Sequence, residues 1–146
     1  MEIKFGGEFV ANQKPEEVYA FLVDPKRFCP LLPDYESMQP LDDKTFLVKL
    51  RVGISHIRGT AAVKLTLAES DKPKHALYQG TGDVPGGTAT LRAGFDLVPD
   101  SGGTKVVWSG KANVVGRIAS LAGGLLEPLA KKNVQKLIDS LQVALT

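Results

Sequence analysis

The sequence predicts an α+β fold in which a curved antiparallel sheet of about seven strands is wrapped on one long C-terminal helix. Between residues 35 and 114, segments of alternating apolar and polar residues are separated by turns rich in Gly, Pro and Asp, which is typical of strands. Residues 116–145 instead repeat apolar residues at three- and four-residue steps, which is typical of a helix. The connections between successive strands are short, so neighbouring strands must pair antiparallel.

The N-terminal part of the chain is predicted to hold one strand and two short helices. Residues 3–10 alternate as a strand, with a bend or bulge expected at Gly6–Gly7. Pro15 suits the first position of a helix, because that position needs no backbone N–H. Asp24 is a good N-cap for a second, short helix that starts at Pro25.

Six more strands follow, with one apolar and one polar face. Asp34 precedes them as a turn residue that tolerates a left-handed backbone. Many positions of the apolar face are small: Gly59, Ala61, Ala89, Ala93, Gly110 and Ala112. Small residues there allow either close contact with the helix or an empty groove, and the pattern leaves both interpretations open.

The C-terminal helix is predicted to be kinked. Its apolar residues form two stripes, Ile118, Leu121 and Leu125, and then Val134, Leu137, Leu141 and Leu145. The stripes are turned from each other by roughly 150° on a helical wheel. Pro128 has no N–H for the carbonyl of Gly124, and its ring crowds that carbonyl. We therefore expect a kink or short break between Gly123 and Leu129.

Composition excludes several classes of protein. The net charge is only +2, and Lys131–Lys132 stand without an aromatic and basic platform, so nucleic acid is not an expected partner. Cys29 is the single cysteine, which excludes a disulfide framework and a Cys-based metal site. The chain has no leader pattern and no apolar run of ~20 residues, so we expect a cytoplasmic protein without a transmembrane segment.

The sequence offers no convincing catalytic constellation, and no cofactor or metal is expected. His56 and His75 are predicted at strand ends, far apart in sequence and without partners at metal-ligand spacing. Cys29 lies on a short apolar helix, where a buried and inert thiol is the simplest expectation. We therefore expect a protein that is not an enzyme.

Several short segments occur in an order that is specific only when they are taken together. They are residues 7–10, 14–19, 22–25, 32–33, 52–54, 58–59, 80–82, 103–104 and 115–121. This ordered set resembles the family of the carbon monoxide dehydrogenase G subunit, within the START/SRPBCC superfamily of helix-grip folds. The chain departs from the family at Tyr19, where Trp is usual, and at Asp34, where Gly is usual. The membrane-anchoring tail of some members is absent, because the sequence stops at Thr146, so we expect at most transient membrane contact.

The resemblance implies a single helix-grip domain over residues 1–146 that binds a hydrophobic, lipid-like or quinone-like molecule between the sheet and the C-terminal helix. It also implies a partner, an oxidoreductase of the molybdenum hydroxylase or carbon monoxide dehydrogenase type. We assign the mouth of the groove to Phe28, Leu32 and Tyr35, its sheet side to Leu50, Val63, Leu91, Phe95 and Trp108, and its helix side to Leu121, Leu125 and Leu129.

Two alternatives stay open beside the carrier hypothesis. One is an enzyme of the cyclase or aromatase type found elsewhere in the superfamily. It requires a buried acid or base with a shifted pKa, and Asp83 and Asp96 are the candidates. The other is a protein-interaction or assembly module whose core is filled.

Overall fold

A seven-stranded antiparallel sheet forms one layer of the molecule, and the helices pack against one of its faces. The computed structural model describes the backbone of residues 1–121 and 123–146 and the side chains of residues 1–120 and 124–146. The strands are β1 (Glu2–Ala11), β2 (Tyr35–Pro40), β3 (Thr45–Ile54), β4 (Ile57–Asp71), β5 (His75–Val84), β6 (Gly87–Asp100) and β7 (Gly103–Gly116). The helices are α1 (Pro15–Leu22), α2 (Pro25–Phe28), α3 (Arg117–Leu121) and α4 (Gly123–Ala144), and a 3-10 turn spans Cys29–Leu31. The predicted α+β fold is confirmed.

The sheet has the order β1-β7-β6-β5-β4-β3-β2, and its register aligns the apolar positions of neighbouring strands. One row of register partners crosses five strands, from Val48 through Val63, Gly82 and Ala89 to Val114. Side chains alternate between the two faces along each strand, and the face that carries this row is mostly apolar, with Thr104 among its polar exceptions. We call it the inner face, and the opposite face the outer face.

The short helices after β1 begin where the sequence predicts. Pro15 occupies the first turn of α1, and Pro25 does the same in α2. The Asp24 carboxylate accepts a hydrogen bond from the Lys26 backbone N–H at 3.1 Å, as an N-cap should. After α2, Asp34 adopts the left-handed conformation expected of it, with φ at 58°. The proline and cap of α2 and the turn at Asp34 place α2 and the 3-10 turn over β3 and β4.

The bend predicted at Gly6–Gly7 is wrong. β1 pairs with β7 without interruption from Glu2 to Ala11. A Cβ atom built on Gly7 would lie 2.9 Å from Cζ2 of Trp108, its register partner on β7. Glycine is therefore needed here because the indole of the neighbouring strand lies against this position, and the backbone stays straight.

The C-terminal helix differs from its prediction in two ways. A break between Gly123 and Leu129 is not observed, since α4 runs through Pro128 without interruption. The described helical residues are Arg117–Leu121 and Gly123–Ala144, and Ala122 between them lies outside the described residues. Leu125, predicted on one stripe with Ile118, is 58% exposed. Leu126 and Leu129 take part in packing instead.

The buried residues form clusters at two ends of the inner face. The first, here the terminal cluster, joins α1 and the C-terminal part of α4 to β1, β6 and β7. Its buried members are Phe9, Ala11, Val18, Tyr19, Leu22, Ala76, Phe95, Leu97, Val106, Ile138, Leu141 and Leu145. The second, here the hairpin cluster, packs α3 and the start of α4 against the β3–β4 hairpin, with Ile54, Val114 and Ile118 buried. Among the described residues, no helix is long and apolar enough to cross a membrane.

Candidate ligand-binding groove

A third cluster lies beneath α2 and the 3-10 turn, against β3 and β4. We call it the mouth cluster. Its buried members are Cys29, Phe46, Val48 and Leu65, and its partly buried members are Phe28, Leu32, Tyr35, Met38, Leu50, Val63, Tyr78 and Leu91. Six of the eleven predicted ligand-binding residues belong to it: Phe28, Leu32, Tyr35, Leu50, Val63 and Leu91. The structure brings these six together, and their role in binding stays a prediction.

Three aromatic rings give the mouth cluster a fixed geometry. The ring of Phe28 lies 6.0 Å from Phe46 and 5.7 Å from Tyr78, and Phe46 lies 5.9 Å from Tyr78. The edge-to-face arrangements of Phe46 with both neighbours are favourable for aromatic quadrupoles. The Tyr78 hydroxyl donates to the backbone carbonyl of Leu22 at 2.9 Å, and burial raises the pKa of that hydroxyl. α2 therefore packs on the sheet through the contacts of Phe28 with Phe46 and Tyr78.

Sequence reasoning missed Phe46 and Tyr78 as neighbours of Phe28. The glycines and polar residues of β5 obscure its alternation, so the phase of Tyr78 could not be read from the pattern. Strand pairing shows that Tyr78 is on the inner face, because it lies opposite Leu67 on β4 and Ala93 on β6, which are both on that face.

The middle of the inner face is less buried than its ends. Leu50, Val63 and Leu91 are only partly buried although they lie on the face that the helix covers. The small residues Ala93 and Ala112 beside them are also partly exposed. Among the strands, β1 at the edge of the sheet has the most backbone neighbours on α4. We call the region between these strands and α4 the inner groove, since it is where the sequence analysis expects a ligand.

The other predicted site residues lie at the ends of the inner groove. Phe95 is buried in the terminal cluster, and Trp108 packs against that cluster from β7. Leu129 packs in the hairpin cluster at the opposite end. Leu125 is 58% exposed and belongs to none of the described clusters, and its role on the helix side of the groove stays a prediction. The side chain of Leu121 lies outside the described residues.

One polar atom stands out on this apolar face. Nε1 of Trp108 is buried and has no hydrogen-bond partner, and among the described side chains it is the single buried nitrogen or oxygen in that condition. Most buried polar groups in proteins are hydrogen-bonded, so this donor needs an explanation.

The titratable groups of interest lie outside the inner groove or are inert. Cys29 is buried, and burial, with the nearby Asp24 carboxylate, raises the pKa of its thiol to about 12. Asp83 and Asp96 are both exposed, so neither is the buried acid that a cyclase-like enzyme would need. Among the described residues, no group of three or more His, Cys, Asp or Glu side chains could hold a metal ion.

The sequence did not reveal the environment of His75. Its Nε2 lies 2.9 Å from a carboxylate oxygen of Glu69, and its Nδ1 lies 2.8 Å from one of Asp96. Hydrogen bonding to Glu69 and then to Asp96 raises the pKa of the imidazole, because both bonds favour the doubly protonated ring. This exposed group joins β4, β5 and β6.

Two concavities are lined by described residues outside the inner groove. The larger, about 580 Å³, is an open depression on the outer face, with Lys64, Arg92 and Lys111 among its lining residues. The smaller, about 220 Å³, lies between the start of α2 and the turn that joins β2 to β3. It reaches Phe46 and Tyr78 of the mouth cluster, so it approaches the inner groove from the side of α2.

The curved sheet, the covering C-terminal helix and the two short helices after β1 define a helix-grip domain. The chain belongs to the family described as the G subunit of carbon monoxide dehydrogenase (CoxG), whose model matches residues 7–146. The resemblance found in the sequence is therefore confirmed. A search of curated protein sequences gave no match.

Solved structures share this fold over nearly their whole length. A conserved protein from Geobacillus kaustophilus is 19% identical, with a TM-score of 0.85 over 98% of this chain and 95% of that one. The Zhui aromatase/cyclase from Streptomyces sp. R1128 is 14% identical, with a TM-score of 0.72 over 99% and 93%. Ara h 8.0201 is 15% identical, with a TM-score of 0.64 over 99% and 98%. At such low identities the likeness shows the fold and not the activity.

Proposed function

We propose that this domain is a carrier that binds an elongated apolar molecule, lipid-like or quinone-like, in the inner groove. The observation that carries the proposal is the partial exposure of Leu50, Val63 and Leu91 on the face that the helix covers. Each 100 Å² of apolar surface that a ligand and these side chains remove from water contributes about 2.5 kcal/mol to binding. An apolar ligand is therefore the class that this lining favours.

The arrangement of the clusters supports a defined binding position for such a ligand. The terminal and hairpin clusters fill the two ends of the inner face, so a ligand would be confined to its middle. α2 has only four residues and is followed by a three-residue 3-10 turn, and both carry apolar side chains over the mouth. Short segments of this kind move more easily than a sheet, so we propose that Phe28 and Leu32 form a lid.

We further propose that the carrier serves an oxidoreductase and is not itself an enzyme. The name of the family connects its members with carbon monoxide dehydrogenase, a role that the sequence resemblance also suggested. The aromatase/cyclase among the similar structures is an enzyme, but the alternative that it suggests depends on Asp83 or Asp96, and both are exposed. The carrier hypothesis needs no catalytic group in the groove.

Native mass spectrometry of the freshly purified protein, followed by solvent extraction, tests the carrier hypothesis. We expect a stoichiometric apolar adduct, or its uptake from a mixture of lipids and quinones. Ala112→Leu places a larger side chain on the inner face beside Leu91 and should prevent uptake. Thr90→Leu makes a comparable change on the outer face and should leave uptake unchanged. A protein without adduct or uptake would favour the interaction module with a filled core.

The partner hypothesis needs a separate experiment. We expect the domain to comigrate with a purified carbon monoxide dehydrogenase of the molybdenum hydroxylase type in size-exclusion chromatography. Ala112→Leu should comigrate as well, because it alters the groove and leaves the surface unchanged. A wild-type domain that takes up ligand but never comigrates would overturn the partner and leave the carrier intact.

A further inference from the structure

We propose that the depression on the outer face is a docking surface for an acidic segment of a partner protein. The proposal goes beyond the carrier hypothesis, because this depression and the inner groove lie on opposite faces of the sheet. The depression has a volume of about 580 Å³ and crosses the four strands β4 to β7. Its described lining residues include three cations, Lys64, Arg92 and Lys111, and no carboxylate.

The strand register arranges the lining side chains in two adjacent rows. The first row consists of Lys111, Arg92, Gln79 and Thr66, each opposite the next. The second row lies two residues away along each strand and ends at Lys64 on β4, with threonine and asparagine side chains at its other positions. Because side chains alternate along a strand, both rows point to the outer face.

Three cations occupy consecutive positions along the first row and its continuation on β1. Lys4 on β1 lies opposite Lys111 on β7, and Lys111 lies opposite Arg92 on β6. Like charges at directly opposite positions of an antiparallel pair destabilise the sheet. A partner with negative charges would relieve this repulsion, so the row favours an anionic occupant.

The carboxylates of the chain neutralise this row only in part. Glu2 lies 3.1 Å from the ammonium of Lys111 and 3.5 Å from that of Lys4, so one carboxylate serves two cations. The guanidinium of Arg92 is 3.9 Å from Glu69, whose other oxygen lies 2.9 Å from a histidine nitrogen. All of these pairs are exposed to solvent, and exposed ion pairs are weak. The cations therefore remain able to meet the carboxylates of a partner.

The positions of the cations favour an extended occupant. Lys64 is on β4 and Lys111 is on β7, so three interstrand spacings of about 4.8 Å place roughly 14 Å between them. Lys64 forms no ion pair within the described part of the chain. An extended polypeptide rises about 3.3 Å per residue, so a segment of about five residues spans the two lysines. The hydroxyl and amide groups between the cations can hydrogen-bond to its backbone.

Other polyanions fit this face less well. In the described strands β4–β7, the outer-face positions carry no Phe, Tyr or Trp on which nucleobases could stack. The two rows of the depression contain no large apolar side chain that could enter a bilayer. An acidic polypeptide needs neither feature, so a protein partner is the class that this surface favours.

A nuclear magnetic resonance titration of the ¹⁵N-labelled protein with a probe peptide tests the proposal. The probe is acetyl-hexaglutamate amide, and acetyl-hexaglutamine amide is its uncharged counterpart. We expect the acidic peptide to shift the backbone amides of β6 and β7 at the depression, and the neutral peptide to leave them unchanged. The shifts should disappear at about 1 M ionic strength, where the Debye length is only about 3 Å.

A matched pair of variants separates the depression from the net charge. Lys111→Gln removes a cation of the depression and should weaken binding about 2- to 5-fold. Lys105→Gln removes a cation from the same strand and face, six residues and thus roughly 20 Å away. The two side chains are 55% and 40% exposed, and each pairs with a glutamate on β1. At about 0.15 M ionic strength such a distance is screened, so Lys105→Gln should leave the affinity unchanged.

Arg92→Gln provides a second variant of the depression and should also weaken binding about 2- to 5-fold. Equal weakening by Lys111→Gln and Lys105→Gln would overturn the docking surface, because binding would then follow net charge alone. Shifts that spare the outer face, or an equal response to the neutral peptide, would overturn it as well.

A further titration uses vesicles of phosphatidylglycerol in place of the peptide, and we expect no binding to them at about 0.15 M ionic strength. Vesicle binding that Lys111→Gln weakens, without binding of the peptide, would identify a membrane as the occupant and overturn the protein partner. None of these outcomes bears on the inner groove, whose ligand uptake Lys111→Gln should leave unchanged.

Discussion

At the scale of single residues, Cys29 gives the simplest prediction. Its thiol is buried, with a pKa raised to about 12 by burial and by Asp24, so almost none of it is thiolate at pH 8. We expect a disulfide reagent to label Cys29 slowly in native buffer and rapidly in concentrated urea. The absorbance of the released thiolate gives both rates. Rapid native labelling would show that α2 does not cover this residue.

His75 gives a prediction about pH. Its pKa is raised in the folded protein, so protonation stabilises the fold. This stabilisation is fully present below the unfolded pKa of about 6.5 and is lost as the pH rises through the raised folded pKa. Because the imidazole is only partly buried and both carboxylate partners are exposed, its contribution should be no more than about 0.2–1 kcal/mol.

His75→Gln removes this contribution and leaves a neutral hydrogen-bonding group. Urea unfolding at pH 5.5 and pH 9 should show a larger loss of stability for the variant at the lower pH. His56 is the other histidine and is exposed in the β3–β4 turn, so His56→Gln is the matched control. An equal loss for His75→Gln at both pH values would contradict the charged state of the imidazole.

The surroundings of His75 illustrate what single residues did not reveal in the sequence. The burial of Cys29 could be predicted because its apolar neighbours are close to it in the chain. Glu69 and Asp96 reach His75 only through strand pairing, and a register shift between Leu67 and Glu69 alters which face Glu69 occupies. A bulge of this kind leaves little trace in the alternation pattern. Contacts set by register therefore escaped prediction.

At the scale of elements, Pro128 lies inside α4, where proline is unfavourable. Its side chain is exposed, so replacing it removes little packing. Pro128→Ala restores an N–H for the carbonyl of Gly124 and should raise the free energy of unfolding by about 1–3 kcal/mol. Urea unfolding measures the change.

The control for this variant is Pro25→Ala. Pro25 lies in the first turn of α2, where the missing N–H has no partner in any case, so no comparable gain is expected. A stability that falls in Pro128→Ala would mean that the path of α4 depends on the proline, as the sequence interpretation proposed.

The elements themselves could largely be predicted, for reasons that are local. Pro15, Asp24 and Asp34 act through their own backbone preferences, and each does in the structure what the sequence predicts. Leu125 was placed on a buried stripe with Ile118, and its side chain is 58% exposed. The apolar pattern does not give the rotation of α4 against the sheet, so the packing of Leu126 and Leu129 in its place required the structure.

At the scale of the whole molecule, the candidate site depends on where layers meet. The alternation of apolar residues correctly placed Leu50, Val63 and Leu91 on one face. It could not decide whether the small residues between them mean contact or empty space. That depends on how far α4 stands from the middle strands, and the sequence pattern contains no such distance. For the same reason, the sequence could not show that Nε1 of Trp108 is buried without a hydrogen-bond partner.

Ligand removal tests the whole molecule, because a ligand that binds only the folded state stabilises it. At a ligand concentration 100 times its Kd, the gain is about 2.7 kcal/mol, which for a chain of this size raises Tm by roughly 5–10 °C. We expect solvent-extracted protein to melt lower by this margin and to recover when the extract is returned. Ala112→Leu should melt at one temperature with or without the extract, while Thr90→Leu should behave as the wild type. If Ala112→Leu is itself destabilised by several kcal/mol, its leucine is overpacking a filled interior, and the inner groove has no room for a ligand.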